Sequence, residues 1–208
     1  MTPENIFYRI QNSLSAVKLF SLSAGLLLLC FTGCKKESQG DPANPKGEYY
    51  LKFKANGTQK LIDYAVIQGQ DIESQTTDAY GGKVFLYSIG AAKISGEMVG
   101  LGFVSQTRLT APATFRESAG ISGTDKTATL MYNKSLADID PLMSIGVLDP
   151  LNNYASVVRD VIIDITEYNT TYIKGTFSGT VYPADDDMGP VLSGKIAITE
   201  GEFKLKLP

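Results

Sequence analysis

The sequence predicts an all-β protein: an antiparallel β-sandwich or jelly roll of roughly 8–10 strands, with a partly closed β-barrel as the alternative. Three observations carry this. From residue 48 to the C-terminus, segments rich in β-branched and aromatic residues alternate apolar and polar positions with a period of two. Clusters of turn-forming residues separate these segments, in a chain with 20 glycines. No segment after residue 48 keeps a helical period for longer than two turns.

Three parts precede and make up this pattern. Residues 1–33 read as a secretory signal. Arg9 and Lys18 supply the positive region, and fifteen uncharged residues, "LFSLSAGLLLLCFTG" (Leu19 to Gly33), supply the apolar region. Fifteen is short for a membrane-spanning helix, which needs about 20 residues. An uncleaved N-terminal anchor helix is the competing reading, favoured by the long n-region. Residues 34–47 begin with Cys34 and continue as "KKESQGDPANPKG", polar and without apolar periodicity. That composition predicts an extended tether with a reach of no more than roughly 40–45 Å. Residues 48–208 form a single β-domain, long enough to bury a core without disulfide staples.

Within the domain, "YYLKFKANGTQKLIDY" opens a hairpin. Tyr49, Leu51 and Phe53 alternate with Tyr50, Lys52 and Lys54, and Asn56-Gly57 fits a type I′ turn, in which both central residues need positive φ. Thr58 to Val66 returns as the second strand. Further strands are predicted over 83–90, 97–105, 127–133, 155–169, 170–182 and 192–207. The segment Asn133–Ser144 has room for one short helical turn before Pro141. In the late strands, Ile173, Gly175, Phe177, Gly179 and Val181 share one face, and Tyr172, Lys174, Thr176, Ser178 and Thr180 the other. The glycines on the apolar face leave room for bulky neighbours or for curvature. Gly201 is expected to bulge the last strand before Phe203, Leu205 and Leu207 resume a buried face.

Phe31-Thr32-Gly33-Cys34 resembles the bacterial lipobox, with Phe31 standing where Leu is usual. That resemblance implies cleavage before Cys34 and a covalent lipid on its sulfur. Cys30 then leaves with the signal, and the mature domain has no thiol. "YYLKFKANG" near the tether, "GTFSGTVY" late, and the closing "LSGKIAITEGEFKLKL" resemble a group of small Bacteroidota lipoproteins with an all-β domain. Their first strand reads FKxNG, and their last strands read GxF and ITxGxF. The resemblance covers both ends of the domain and carries over no catalytic residue. It implies an outer-membrane lipoprotein of the bacterial cell envelope, facing the periplasm or the cell surface.

Composition limits the chemistry. The chain has no histidine and no tryptophan. Ser-His-Asp and Cys-His catalysis and His-ligated zinc are therefore excluded from the mature domain. Nineteen basic and 22 acidic residues become 17 and 21 once Arg9, Lys18 and Glu4 are removed, a net charge of −4. No basic block stands out beyond Lys35-Lys36, so nucleic acid is not an expected partner. Asp138 and Asp140 form a D-x-D pair that could offer hard oxygen donors to Ca²⁺, but the further ligands of a calcium loop are missing, and a solvated loop is the competing reading. Asp185-Asp186-Asp187 reads as a solvated loop tip or an acidic contact.

Ten of the eleven tyrosines follow the signal. A tyrosine ring offers an apolar plane with a polar tip, which suits a glycan- or peptide-binding face but equally a sheet border. Tyr80, Tyr87, Tyr132 and Tyr154, in the middle of the chain, are the candidates for such a face. The expectation is a non-enzymatic binding or assembly module, anchored to the membrane by its lipid, for a glycan, peptide or envelope partner. It needs no cofactor beyond the covalent lipid on Cys34. The alternative is a small glycan hydrolase working through carboxylates alone, which requires an acid pair about 5–9 Å apart.

Overall fold

The computed structural model describes residues 48–62, 73–77, 83–93, 95–117, 127–135, 141–144, 148, 157–185 and 189–207. Cys34, Tyr80, Asp138, Asp140, Tyr154 and the predicted helical turn before Pro141 lie outside them. The described residues are nearly all strand, in one open sheet that curls into a half-barrel. Of the two predicted architectures, this is the partly closed barrel.

Eleven strands are described: β1 (Tyr50–Ala55), β2 (Thr58–Ile62), β3 (Glu73–Thr77), β4 (Lys83–Ala92), β5 (Met98–Ser105), β6 (Ala113–Arg116), β7 (Thr127–Asn133), β8 (Leu142–Met143), β9 (Ile162–Tyr168), β10 (Tyr172–Val181) and β11 (Ile196–Lys206). They lie in the order β2-β1-β11-β10-β9-β6-β7-β5-β4-β3, with β8 beside β7. The sequence pattern anticipates β1, β2, β4, β5, β7, β9, β10 and β11. It misses β3, β6 and β8, which are short or polar.

The first hairpin forms for the predicted reason. Asn56 has φ 46° and Gly57 φ 80°, the left-handed pair that a two-residue turn between twisted strands requires. A second tight turn joins β4 to β5. Lys93 N–H donates to the Glu97 carbonyl at 2.7 Å, and Gly96, at φ 88°, donates back to the Lys93 carbonyl at 2.8 Å.

Two features bend the sheet. The short strand β6 pairs antiparallel with β9 over four residues but meets β7 in parallel, at Arg116↔Thr127. An antiparallel sheet throughout was expected; this one parallel contact is the seam at which the sheet turns from one half to the other. In β11, an extra residue is inserted against both neighbours: Gly201 to Ile198 spans Phe177 to Gly179, and Glu202 to Thr199 spans Lys52 to Lys54. This is the bulge expected at Gly201, with one refinement. Glu200 carries the positive φ, at 52°. Gly201 is needed for space, since a Cβ there would lie 2.4 Å from the Phe177 carbonyl oxygen.

The core fills the curl between the halves. Leu51, Phe53, Ile173, Phe177, Val181, Ile198 and Phe203 from one half meet Tyr87, Leu101, Phe103, Leu130 and Tyr132 from the other. Phe53 on β1 packs edge-on against Tyr132 on β7, with ring centroids 5.5 Å apart. Phe103 on β5 meets Phe115 on β6 at 4.6 Å. Burial of the apolar faces, worth about 25 cal/mol per Å² removed from water, therefore holds the two ends of an open sheet against each other. A polar contact does the same at the mouth: Lys60 of edge strand β2 reaches Glu97 at 3.0 Å, at the base of the β4–β5 hairpin.

Candidate binding surface

The alternation that buries one face of β1, β11, β10 and β9 turns the other outward, and the register sets its side chains in rows. One row runs Tyr50, Lys204, Lys174, Glu167 across the four strands. The next runs Lys52, Glu202, Thr176, Asp164 and continues to Thr114 on β6. Tyr172 and Tyr49 flank the first row. Like charges directly opposite destabilise a sheet, so Lys204 and Lys174 need partners.

Each has them. Lys174 Nζ donates to Glu167 Oε1 at 2.8 Å, and the Tyr172 hydroxyl donates to Glu167 Oε2 at 2.5 Å. Lys204 Nζ lies over the Tyr172 ring at 4.7 Å and the Tyr49 ring at 5.6 Å, and reaches Glu48 at 3.4 Å. An ammonium between two aromatic faces is held by the ring quadrupoles. In the adjoining group, the Tyr50 hydroxyl donates to Glu202, and Lys52 pairs with Glu202 at 2.9 Å while lying over the Tyr50 ring at 5.7 Å. The result is an outward array of three phenols, three ammoniums and three carboxylates, those of Glu48, Glu167 and Glu202.

Its electrostatics are uniform in sense. The hydrogen bond from Tyr50, then that from Lys52, holds the Glu202 carboxyl below its usual range. Lys174 and then Tyr172 do the same for Glu167. Burial first and Glu202 second push the Tyr50 phenol up to about 12. Glu167 raises both Tyr172 and Lys174. Every one of these groups is driven away from neutrality, so none is poised to exchange a proton near pH 7. The surface suits recognition: flat rings, hydroxyl tips, and charges of both signs at fixed positions.

Of the tyrosines singled out from sequence, Tyr87 and Tyr132 are not here; Tyr80 and Tyr154 lie outside the described residues. Tyr87 is 1% exposed and stacks on Phe103 at 5.0 Å; its hydroxyl donates to Glu73 at 2.8 Å and accepts from Leu109 N–H at 2.6 Å. Tyr132 is 2% exposed, and its hydroxyl donates to Glu97 at 2.9 Å. Both are core residues, which corrects their assignment to a solvent-facing platform. The reason is parity: Tyr87 falls in step with Ile89 and Ala91, and Tyr132 with Leu130 and Ala128, all buried. The same parity places Tyr50 with Lys52 and Tyr172 with Lys174, so these two outward tyrosines were readable from the alternation; Tyr49, in step with Leu51 and Phe53 and just before β1, was not.

Among the described residues there is no group of three or more His, Cys, Asp or Glu able to hold a metal ion, and no helix long and apolar enough to cross a membrane. Asp185 is held in its loop, its carboxylate accepting from Gly189 N–H at 2.5 Å. No protein-family model, curated protein or solved structure matches the chain.

Proposed function

We propose that this chain is a lipid-anchored protein of the bacterial envelope that uses the outer face of β1, β11, β10 and β9 as a non-enzymatic docking surface for a glycan or peptide. The lipobox-like Phe31–Cys34 and the tether up to Gly47 support the anchoring. One observation carries the binding role: Tyr49, Tyr50 and Tyr172 are gathered with Lys52, Lys174 and Lys204 on one outward face, beside the point where the chain enters the domain. Tyrosine faces bind polar polymers by stacking and by hydrogen bonds from the ring tip.

The direction of the carboxyl shifts favours binding over hydrolysis. A glycan hydrolase needs one carboxylic acid raised so that it can protonate the leaving oxygen. Glu97, Glu167 and Glu202 are all shifted the opposite way. Two experiments test the reading. Cys34→Ala is expected to release the protein from the membrane fraction; unchanged membrane association overturns the anchor. Glycan- and peptide-array binding by the purified protein is expected to be lost in a Tyr50→Ala/Tyr172→Ala variant whose melting temperature stays close to wild type. Equal binding by that variant removes this face from the function.

A further inference from the structure

A second polar group joins edge strand β2, the β4–β5 turn and β7, and shares no residue with the tyrosine face. Glu97 is 6% exposed, and both its carboxylate oxygens are occupied. Oε1 accepts from Lys60 Nζ at 3.0 Å and from the Tyr132 hydroxyl at 2.9 Å; Oε2 accepts from Lys93 Nζ at 2.8 Å. Three elements thus converge on one carboxylate: edge strand β2, the β4–β5 turn and β7. The charges do not balance. Among the described residues, Glu97 is the only acid paired with either lysine, so two ammoniums share one negative charge.

The lysines are also more open than the acid between them. The side chain of Lys60 is 31% exposed and that of Lys93 21%, against 8% for Glu97. Each ammonium has three N–H donors, of which Glu97 takes one. The remaining donors of both lysines are not used by Glu97, and both side chains reach the surface. Two partly exposed ammoniums, held one on each oxygen of a single carboxylate, carry one positive charge that Glu97 does not offset.

We propose that Lys60 and Lys93 form a binding site for an oxyanion, a carboxylate or a phosphate, which bridges the two ammoniums from the solvent side as Glu97 bridges them from within. The ligand supplies the missing negative charge. Because Lys60 lies on one edge of the open sheet and Lys93 near the other, the bound anion also ties the two ends of the curl together.

The test is a titration of the purified protein, carrying ¹³C-labelled lysine, with sodium phosphate and separately with sodium acetate. Ionic strength is held constant with chloride, and the ε-methylene signals of Lys60 and Lys93 are followed by NMR. A saturable shift of both signals with a Kd of about 1 mM is expected. Saturation by phosphate alone identifies a phosphate site, and saturation by acetate as well a general carboxylate-competent one. Lys60→Met and Lys93→Met should each weaken binding at least about tenfold, while Glu97→Gln, which leaves two unbalanced cations, should tighten it roughly tenfold. Shifts that grow linearly without saturating in the wild-type protein overturn the proposal, and this needs no variant to fold. So does saturable binding that survives both lysine substitutions.

Discussion

Gly175, in the centre of β10, tests the packing of the curled sheet most directly. A Cβ at this position would lie 2.1 Å from the carbonyl oxygen of Asp164 on β9 and 2.9 Å from Phe203 Cζ. An ordinary carbon–oxygen contact is about 3.3 Å, so Gly175→Ala forces β9 and β10 apart by roughly 1.2 Å. That displacement takes ladder hydrogen bonds from about 2.9 Å to about 4 Å, beyond bonding range. Two bonds lost at about 1 kcal/mol each, with about 1–2 kcal/mol of overpacking against Phe203, give a destabilisation of about 3–4 kcal/mol. For a domain of this size that is about 6–16 °C in melting temperature. The obstacle is backbone, so no side-chain rotamer relieves it. Gly100→Ala is the matched control: its Cβ would meet only the Met131 side chain, the flexible Cε at 3.1 Å and Cβ at an ordinary 3.7 Å, and the change should stay within about 0.5 kcal/mol. Urea unfolding followed by far-UV circular dichroism measures both. A loss below about 1 kcal/mol for Gly175→Ala, or an equal loss for Gly100→Ala, would refute the close approach of β9 and β10.

Three further outcomes follow from local geometry. Gly57→Val places a β-branched residue at φ 80° with open space around it; the strain is conformational alone and should cost about 1–2 kcal/mol in a urea melt, with Gly57→Asn recovering most of it. Burial pushes the Glu97 carboxyl up, but hydrogen bonds from Lys93, Lys60 and Tyr132 outweigh it and hold the group below its ordinary 4.5. Its stabilisation is therefore present above pH 4.5 and lost as pH falls through the lower folded-state value, so Glu97→Gln should flatten the acid limb of a stability–pH profile; an unchanged limb would remove Glu97 from the fold's ion-pair network. The Tyr50 phenol, raised to about 12 by burial and then by Glu202, contributes stability that is complete below pH 10 and lost between 10 and 12. Tyr50→Phe should make stability fall less steeply in that window, and ultraviolet titration should show one fewer late-ionising phenol.

Much of the fold was legible because strand parity is a local property. Leu51 and Phe53 against Lys52 and Lys54, and Ile173 and Phe177 against Lys174 and Thr176, sort to the two faces as the alternation requires, whatever pairs with them. The Asn56-Gly57 turn and the Gly201 bulge were likewise readable, since their backbone needs fall on residues suited to them. The short strands were not. Glu73–Thr77 has no apolar face, and Leu142–Met143 is only two residues long; each is a strand because a neighbour offers unpaired backbone groups. The candidate tyrosines were chosen by their place in the chain rather than by parity, which is why Tyr87 and Tyr132 proved to be core residues.

By itself the sequence determined which residues face inward and where the chain reverses, because these follow from a two-residue period and from the φ each turn demands. Only the tertiary structure decided that β6 seams β9 to β7, that Lys60 crosses the mouth to Glu97, and that Tyr50, Tyr172 and Lys204 meet on one face. Those contacts join residues far apart in the chain. Their selection depends on the burial and hydrogen bonding of the whole sheet at once, a sum that no local pattern contains.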